Sequence, residues 1–109
     1  YMESLNLYPY KTINLFSNRQ ADINKAVEIL KNHGTVALPT ETVYGLAGNA
    51  FSPIAVQKIY QAKNRPLKNP LIFHVPTIEE AQKLFAFSQE EEKRFLKLAH
   101  RFWPGPLTI

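Results

Sequence analysis

Cysteine is absent from the 109 residues, which excludes disulfides, thiolate metal sites and a cysteine nucleophile and accords with a reducing compartment. Histidine is sparse. His33, His74 and His100 stand far apart, with none of the close spacing that metal ligation needs, so the metal reading is none. Only 4 glycines are present, and they form no Gly-rich phosphate loop of the P-loop or dinucleotide type, so a nucleotide would have to be held by another device. No apolar run approaches membrane-spanning length. The stretch from Tyr1 to Phe16 mixes Glu3, Asn6, Lys11 and Asn14 among its apolar residues, which fits neither a signal-peptide core nor a transit peptide. A soluble, cytoplasmic protein without membrane association is the expectation, with Met2 as its natural start.

A composition of 45% hydrophobic, 12% aromatic and 20% charged residues is that of a folding chain, and the length suits a single small domain over 1–109. Thirteen Lys and Arg against nine Asp and Glu leave a formal charge of +4, which favours anionic partners such as nucleotides or RNA. A solubilising surface would carry the same excess.

Thr12 to Phe16 reads as a short strand. Ser17-x-x-Gln20 then offers a capping box for a helix with Ile23, Ala26, Val27 and Leu30 on one face, ended by Gly34. Thr35 to Leu38 is a second strand, stopped by Pro39. Gly45 and Gly48 bracket a close turn or irregular segment. Ser52-Pro53 starts a helix through Lys63, with serine as cap and proline in the first turn. Residues 63–70 form a loop, and Leu71 to Val75 a third strand. Thr77-x-x-Glu80 and Ser88-x-x-Glu91 open helices running to about Phe85 and Ala99. Trp103-Pro104-Gly105-Pro106 is a rigid turn before a strand beginning at Leu107. Strands alternating with helices predict an α/β fold, a twisted mixed sheet with crossover helices, incomplete at the C-terminus because an apolar strand is left half made at Ile109.

Polar residues follow or interrupt the apolar runs at Pro39-Thr40-Glu41-Thr42-Val43-Tyr44-Gly45, Lys63-Asn64-Arg65-Pro66, Asn69-Pro70 and His74. Open α/β sheets bind ligands at strand ends, so these stretches are candidates for one substrate surface. Proline forces Arg65 toward extended backbone. If Lys63 and Asn64 are extended as well, both cations project to one side and can straddle an anion, the guanidinium as a planar fork and the ammonium as a compact charge. The competing account is an ordinary solvated loop. His74 shares a face with Ile72 if alternation holds, and a structural histidine in an apolar strand is the competing account there. Thr40, Glu41 and Thr42 serve turn chemistry equally well. His33 beside Gly34 reads as compensation of a helix dipole.

Taken together, Pro39-Thr40-Glu41-Thr42-Val43-Tyr44-Gly45-Leu46, the K-x-R of Lys63-Asn64-Arg65-Pro66, Asn69-Pro70-Leu71-Ile72-x-His74 and Phe102-Trp103-Pro104-Gly105-Pro106-Leu107-Thr108 resemble, in order, the YrdC-like family of threonylcarbamoyl-adenylate synthases. The resemblance covers Gly34 to Ile109. It implies a nucleotidyltransferase that joins L-threonine, bicarbonate or carbon dioxide, and ATP into threonylcarbamoyl-AMP, releasing pyrophosphate; magnesium accompanies the ATP. A downstream threonylcarbamoyl transferase would then modify tRNA. Thr42 and His74 resemble residues that contact threonine, Arg65 and Asn69 resemble ATP-binding ones, and Lys63 would face the phosphates. Lys63 and Arg65 are the choice for neutralising negative charge during displacement.

The family's further nucleotide-contacting residues come from sequence after the Trp-Pro-Gly-Pro block. The chain therefore reads as the front part of a longer domain, expected by itself to bind ATP weakly and to synthesise little or nothing. Two other readings compete. One is a non-catalytic module that grips tRNA or double-stranded RNA through a basic face. The other is a carbamoyl-adenylate-forming domain of a hydrogenase maturation protein, which shares YrdC-like sequence but follows cysteine-rich segments.

Overall fold

The computed structural model describes residues 12–109. The expectations placed on Tyr1 and Met2 lie outside them. The chain forms two compact units that divide between Arg65 and Pro66. Together they hold helices and one small sheet, which is consistent with an α/β domain.

In the first unit, helix α1 spans Gln20–Lys31, strand β1 Thr35–Leu38, strand β2 Gly45–Gly48 and helix α2 Pro53–Lys63. The six residues 39–44 between the strands are too few for a parallel crossover, which needs a dozen or more. The strands therefore pair antiparallel, with Thr35 opposite Gly48, Val36 opposite Ala47, Ala37 opposite Leu46 and Leu38 opposite Gly45. The segment expected as a close turn is thus strand β2. Helix α1 packs on β1, and α2 packs on both strands.

Glycine at 48 permits that last contact. A Cβ there would lie 3.1 Å from Ile59 Cδ1 and 3.2 Å from Ala55 Cβ, the two buried apolar residues of α2. Helix and strand approach closely because one partner has no side chain. Ile59 is 5% exposed, a burial that contributes roughly 1.5–3 kcal/mol.

Each helix of this unit is followed within two residues by a left-handed residue that is not glycine. His33 has φ 64°, and the next amide, Gly34 N–H, donates to Ile29 O at 2.8 Å. Asn64 has φ 48°, its N–H donates to Gln61 O at 3.2 Å, and Arg65 N–H donates to Tyr60 O at 2.9 Å. These bonds capture carbonyls that a helix end leaves without partners. Gly34 follows the left-handed position instead of occupying it. Its own requirement is steric: a Cβ there would meet Ile29 O at 2.8 Å.

The Ser17 capping box does not form. Arg19 stands at the N-cap of α1 without a side-chain bond, while the Asp22 carboxylate accepts from Phe16 N–H at 2.9 Å. The remaining caps follow their sequence signals. Ser52 Oγ accepts from Ala55 N–H at 3.1 Å, with Pro53 in the first turn of α2.

In the second unit, helix α3 spans Ile78–Gln82 and helix α4 Gln89–Phe102. Thr77 Oγ1 accepts from Glu80 N–H at 3.1 Å, and Ser88 Oγ accepts from Glu91 N–H at 3.2 Å while donating to Glu91 Oε1 at 3.0 Å. Helix α3 is shorter than the expected run to Phe85, which lies beyond it with its ring centroid 5.0 Å from that of Phe87 and 6.3 Å from that of Phe95. Helix α4 passes Ala99 and ends where Trp103, extended at ψ 144°, precedes Pro104. The peptide bond between those two residues is cis. Phe95, 3% exposed, stacks on Phe87 at 5.1 Å and meets Trp103 edge-on at 5.6 Å; buried Ala81 and Ala99 complete this core.

Thr12 to Phe16, Leu71 to Val75 and Leu107 to Ile109, expected as strands, are not in a sheet. Apolar character makes a run suitable for a strand, but a strand exists only when a neighbour takes its N–H and C=O groups. Among the described residues the sheet has two strands, which pair with each other.

Candidate functional site

The polar stretch after β1 is the connection of the hairpin. Pro39 ends the β1 ladder, and Thr40 organises the residues after it. Thr40 Oγ1 accepts from Thr42 N–H at 3.3 Å and from Val43 N–H at 3.2 Å, and donates to Val43 O. It also lies 3.4 Å from Thr42 Oγ1. The turn chemistry and the presentation of Thr42 are therefore parts of one arrangement. Glu41, Thr42, Val43 and Tyr44 are exposed on it, with Tyr44 at 75%.

Lys63 and Arg65 sit at the end of α2. Lys63 is the last helical residue, exposed, and Arg65 is half-buried. The continuous extended stretch that would give them a common direction does not form, since Lys63 is helical and Asn64 left-handed. The two cations instead bracket a tight reversal whose geometry is fixed by the amide bonds to Gln61 and Tyr60. A cation in the last helical turn also offsets the partial negative charge of the exposed carbonyls.

The second unit carries Asn69 and His74. Asn69 N–H donates to Pro66 O at 3.0 Å, closing a turn over residues 66–69. His74 is exposed in the segment before α3. Because that segment is not in a sheet, alternation with Ile72 does not define a face for the imidazole.

His33 does more than compensate a dipole. Its Nδ1 lies 2.6 Å from Ser52 Oγ, and its carbonyl accepts from Lys58 Nζ at 2.9 Å. No periodicity signals a contact between residues so far apart along the chain. Ser52 is 2% exposed, so this contact lies at the base of α2, whose other end carries the K-x-R pair.

No three His, Asp or Glu side chains gather as metal ligands among the described residues. A guanidinium and an ammonium are chemically suited to anionic oxygens and not to a metal ion. No described helix is long and apolar enough to cross a membrane.

Comparison with known proteins bears on the same stretches. The family model Sua5/YciO/YrdC, described as "Telomere recombination", matches residues 28–109. A threonylcarbamoyl-AMP synthase of Bacillus subtilis is 45% identical over 93 residues, covering 85% of this chain and 26% of that protein. One from Pyrococcus abyssi is 46% identical over 87 residues, covering 80% and 25%. One from Psychromonas ingrahamii is 38% identical over 90 residues, covering 83% and 47%. The chain thus spans between a quarter and a half of the length of these curated relatives.

Proposed function

The chain belongs to the Sua5/YciO/YrdC family, and from that premise we propose that it supplies the front part of a threonylcarbamoyl-AMP synthase. The observation that carries this reading is the 45% and 46% identity to synthases from a bacterium and an archaeon across most of the chain. The shared name of the relatives favours synthesis over the RNA-binding module and over the hydrogenase-maturation domain. The complete domain is proposed to be a single YrdC-like α/β domain, its twisted mixed sheet and crossover helices built on the β1–β2 hairpin.

The reaction joins three small molecules. Threonine's amine and bicarbonate form a carbamate with loss of water, a carbamate oxygen attacks the α-phosphorus of ATP, and the bond to the β-phosphate breaks to release pyrophosphate. Attacking and leaving groups are both anionic, so fixed cations reduce their repulsion and stabilise charge as it develops. Lys63 and Arg65 take that role, and Asn69 contributes to ATP binding. Thr42 and His74 bind threonine. Magnesium accompanying the ATP would supply further neutralisation. A pocket closed to bulk water would protect the labile carbamate. The product passes in the cytoplasm to a transferase that modifies tRNA.

Calorimetric titration with ATP and threonine tests the site. Arg65→Ala is expected to remove most of the ATP heat while leaving the melting transition in place; identical heats for variant and parent would overturn the assignment.

A further inference from the structure

We propose that the Glu41 carboxylate receives the α-ammonium group of threonine, an assignment that rests on the proposed threonine-binding role of its neighbour Thr42. Free threonine near neutral pH is a zwitterion, so its site must answer a positive group as well as a carboxylate. From Ile29 to Ile78, the stretch that carries Thr42, Lys63, Arg65, Asn69 and His74, the fixed cations are Lys31, Lys58, Lys63, Arg65 and Lys68, whereas Glu41 is the only acidic residue. Those cations without Glu41 would repel an ammonium, since like charges brought together cost binding. Thr42 and a neutral His74 offer uncharged acceptors, and a hydrogen bond to an ionised acceptor is roughly twice as strong.

The hairpin connection fixes the backbone that carries Glu41. Thr42 N–H donates to Thr40 Oγ1 at 3.3 Å and Val43 N–H donates to the same oxygen at 3.2 Å, so the chain is tied across Glu41 from the residue before it to the residues after it. Glu41 itself is exposed, and among the described residues no cation pairs with it. Its carboxylate is therefore open to a ligand beside the Thr42 hydroxyl.

Steady-state pyrophosphate release by the full-length protein tests this, with the KM for threonine, the KM for ATP and kcat measured separately across pH. Glu41→Gln keeps size and removes the charge, and it should raise the threonine KM about tenfold, the scale of one charge-assisted hydrogen bond, with the ATP KM unmoved. Glu41→Asp keeps the charge and should recover most of the loss. The ammonium exists only below the pKa of the amine, so the advantage of the parent over Glu41→Gln in kcat/KM for threonine should be full at neutral pH and fade as pH rises past that pKa. A residue that only shaped the turn would give a ratio flat with pH. The inhibition constant of β-hydroxybutyrate, which is threonine without its amine, should be the same in parent and Glu41→Gln. Should Glu41→Gln lose its melting transition, Glu41→Ala carries the same comparison. A threonine KM unmoved by Glu41→Gln, a ratio constant across pH, weaker inhibition by β-hydroxybutyrate in the variant, or a shift in the ATP KM alone overturns the assignment of Glu41 and leaves that of Thr42 standing. A threonine KM indifferent to Thr42→Val overturns the binding role of Thr42 and the Glu41 assignment with it.

Discussion

His33 Nδ1 and Ser52 Oγ lie 2.6 Å apart and join the end of α1 to the start of α2 across 19 positions of sequence. Ser52 already caps α2 through Ala55 N–H, so one hydroxyl serves the helix and the inter-helix link together. His33 holds this contact from a left-handed backbone, which costs a non-glycine residue roughly 1–2 kcal/mol.

Two opposing terms at His33 can be separated. His33→Ala loses the side-chain bond and keeps the backbone cost; His33→Gly loses the bond and relieves the backbone. Chemical denaturation should find His33→Ala less stable than the parent by about 1 kcal/mol, the usual worth of one hydrogen bond. His33→Gly should be more stable than His33→Ala by about 1 kcal/mol. Equal stabilities for the two variants would argue against the left-handed assignment.

Asn64 sets the angle between Lys63 and Arg65. Asn64→Gly accepts the same conformation and should bind ATP as the parent does in calorimetry. Asn64→Val cannot adopt φ 48° without strain and should both destabilise the end of α2 by about 1–2 kcal/mol and weaken ATP binding. Unchanged ATP affinity in Asn64→Val would separate the reversal from the binding function.

Gly48 and Ile59 should be coupled. Gly48→Ala drives a methyl group against Ile59 Cδ1 and Ala55 Cβ, and overpacking of this kind costs about 1–3 kcal/mol. Ile59→Val deletes the Cδ1 atom, so the double variant should be more stable than the sum of the two single changes implies. Additive denaturation midpoints would show that α2 relaxes away from the sheet instead.

Phe95 anchors the second unit. Phe95→Ala removes the stack on Phe87 and the edge contact with Trp103 and leaves a cavity, at a cost of about 3–5 kcal/mol. Loss of the near-ultraviolet signal of Trp103 at temperatures where the parent keeps it is the expected readout.

Local chemistry was legible in the residues alone. The caps at Ser52, Thr77 and Ser88 form as their spacing predicts, because a cap needs only a side-chain oxygen and an amide three positions on. Ser17 has the same spacing and fails, since Asp22 ties the Phe16 amide and the helix begins behind Arg19. The four family blocks were equally readable, because side-chain identities in order are a property of the chain.

Strand pairing was not legible, and neither was the inter-helix bond from His33. Val36 and Ile72 both lie in apolar runs, yet only Val36 sits in a ladder, opposite Ala47, because a six-residue connection brings β2 back beside β1. The linear order of residues determined the caps, the apolar patterns and the K-x-R pair. Only the tertiary structure decided which runs became strands, that Asn64 reverses the chain between the two cations, and that His33 reaches Ser52, since each depends on where a second group lies in space.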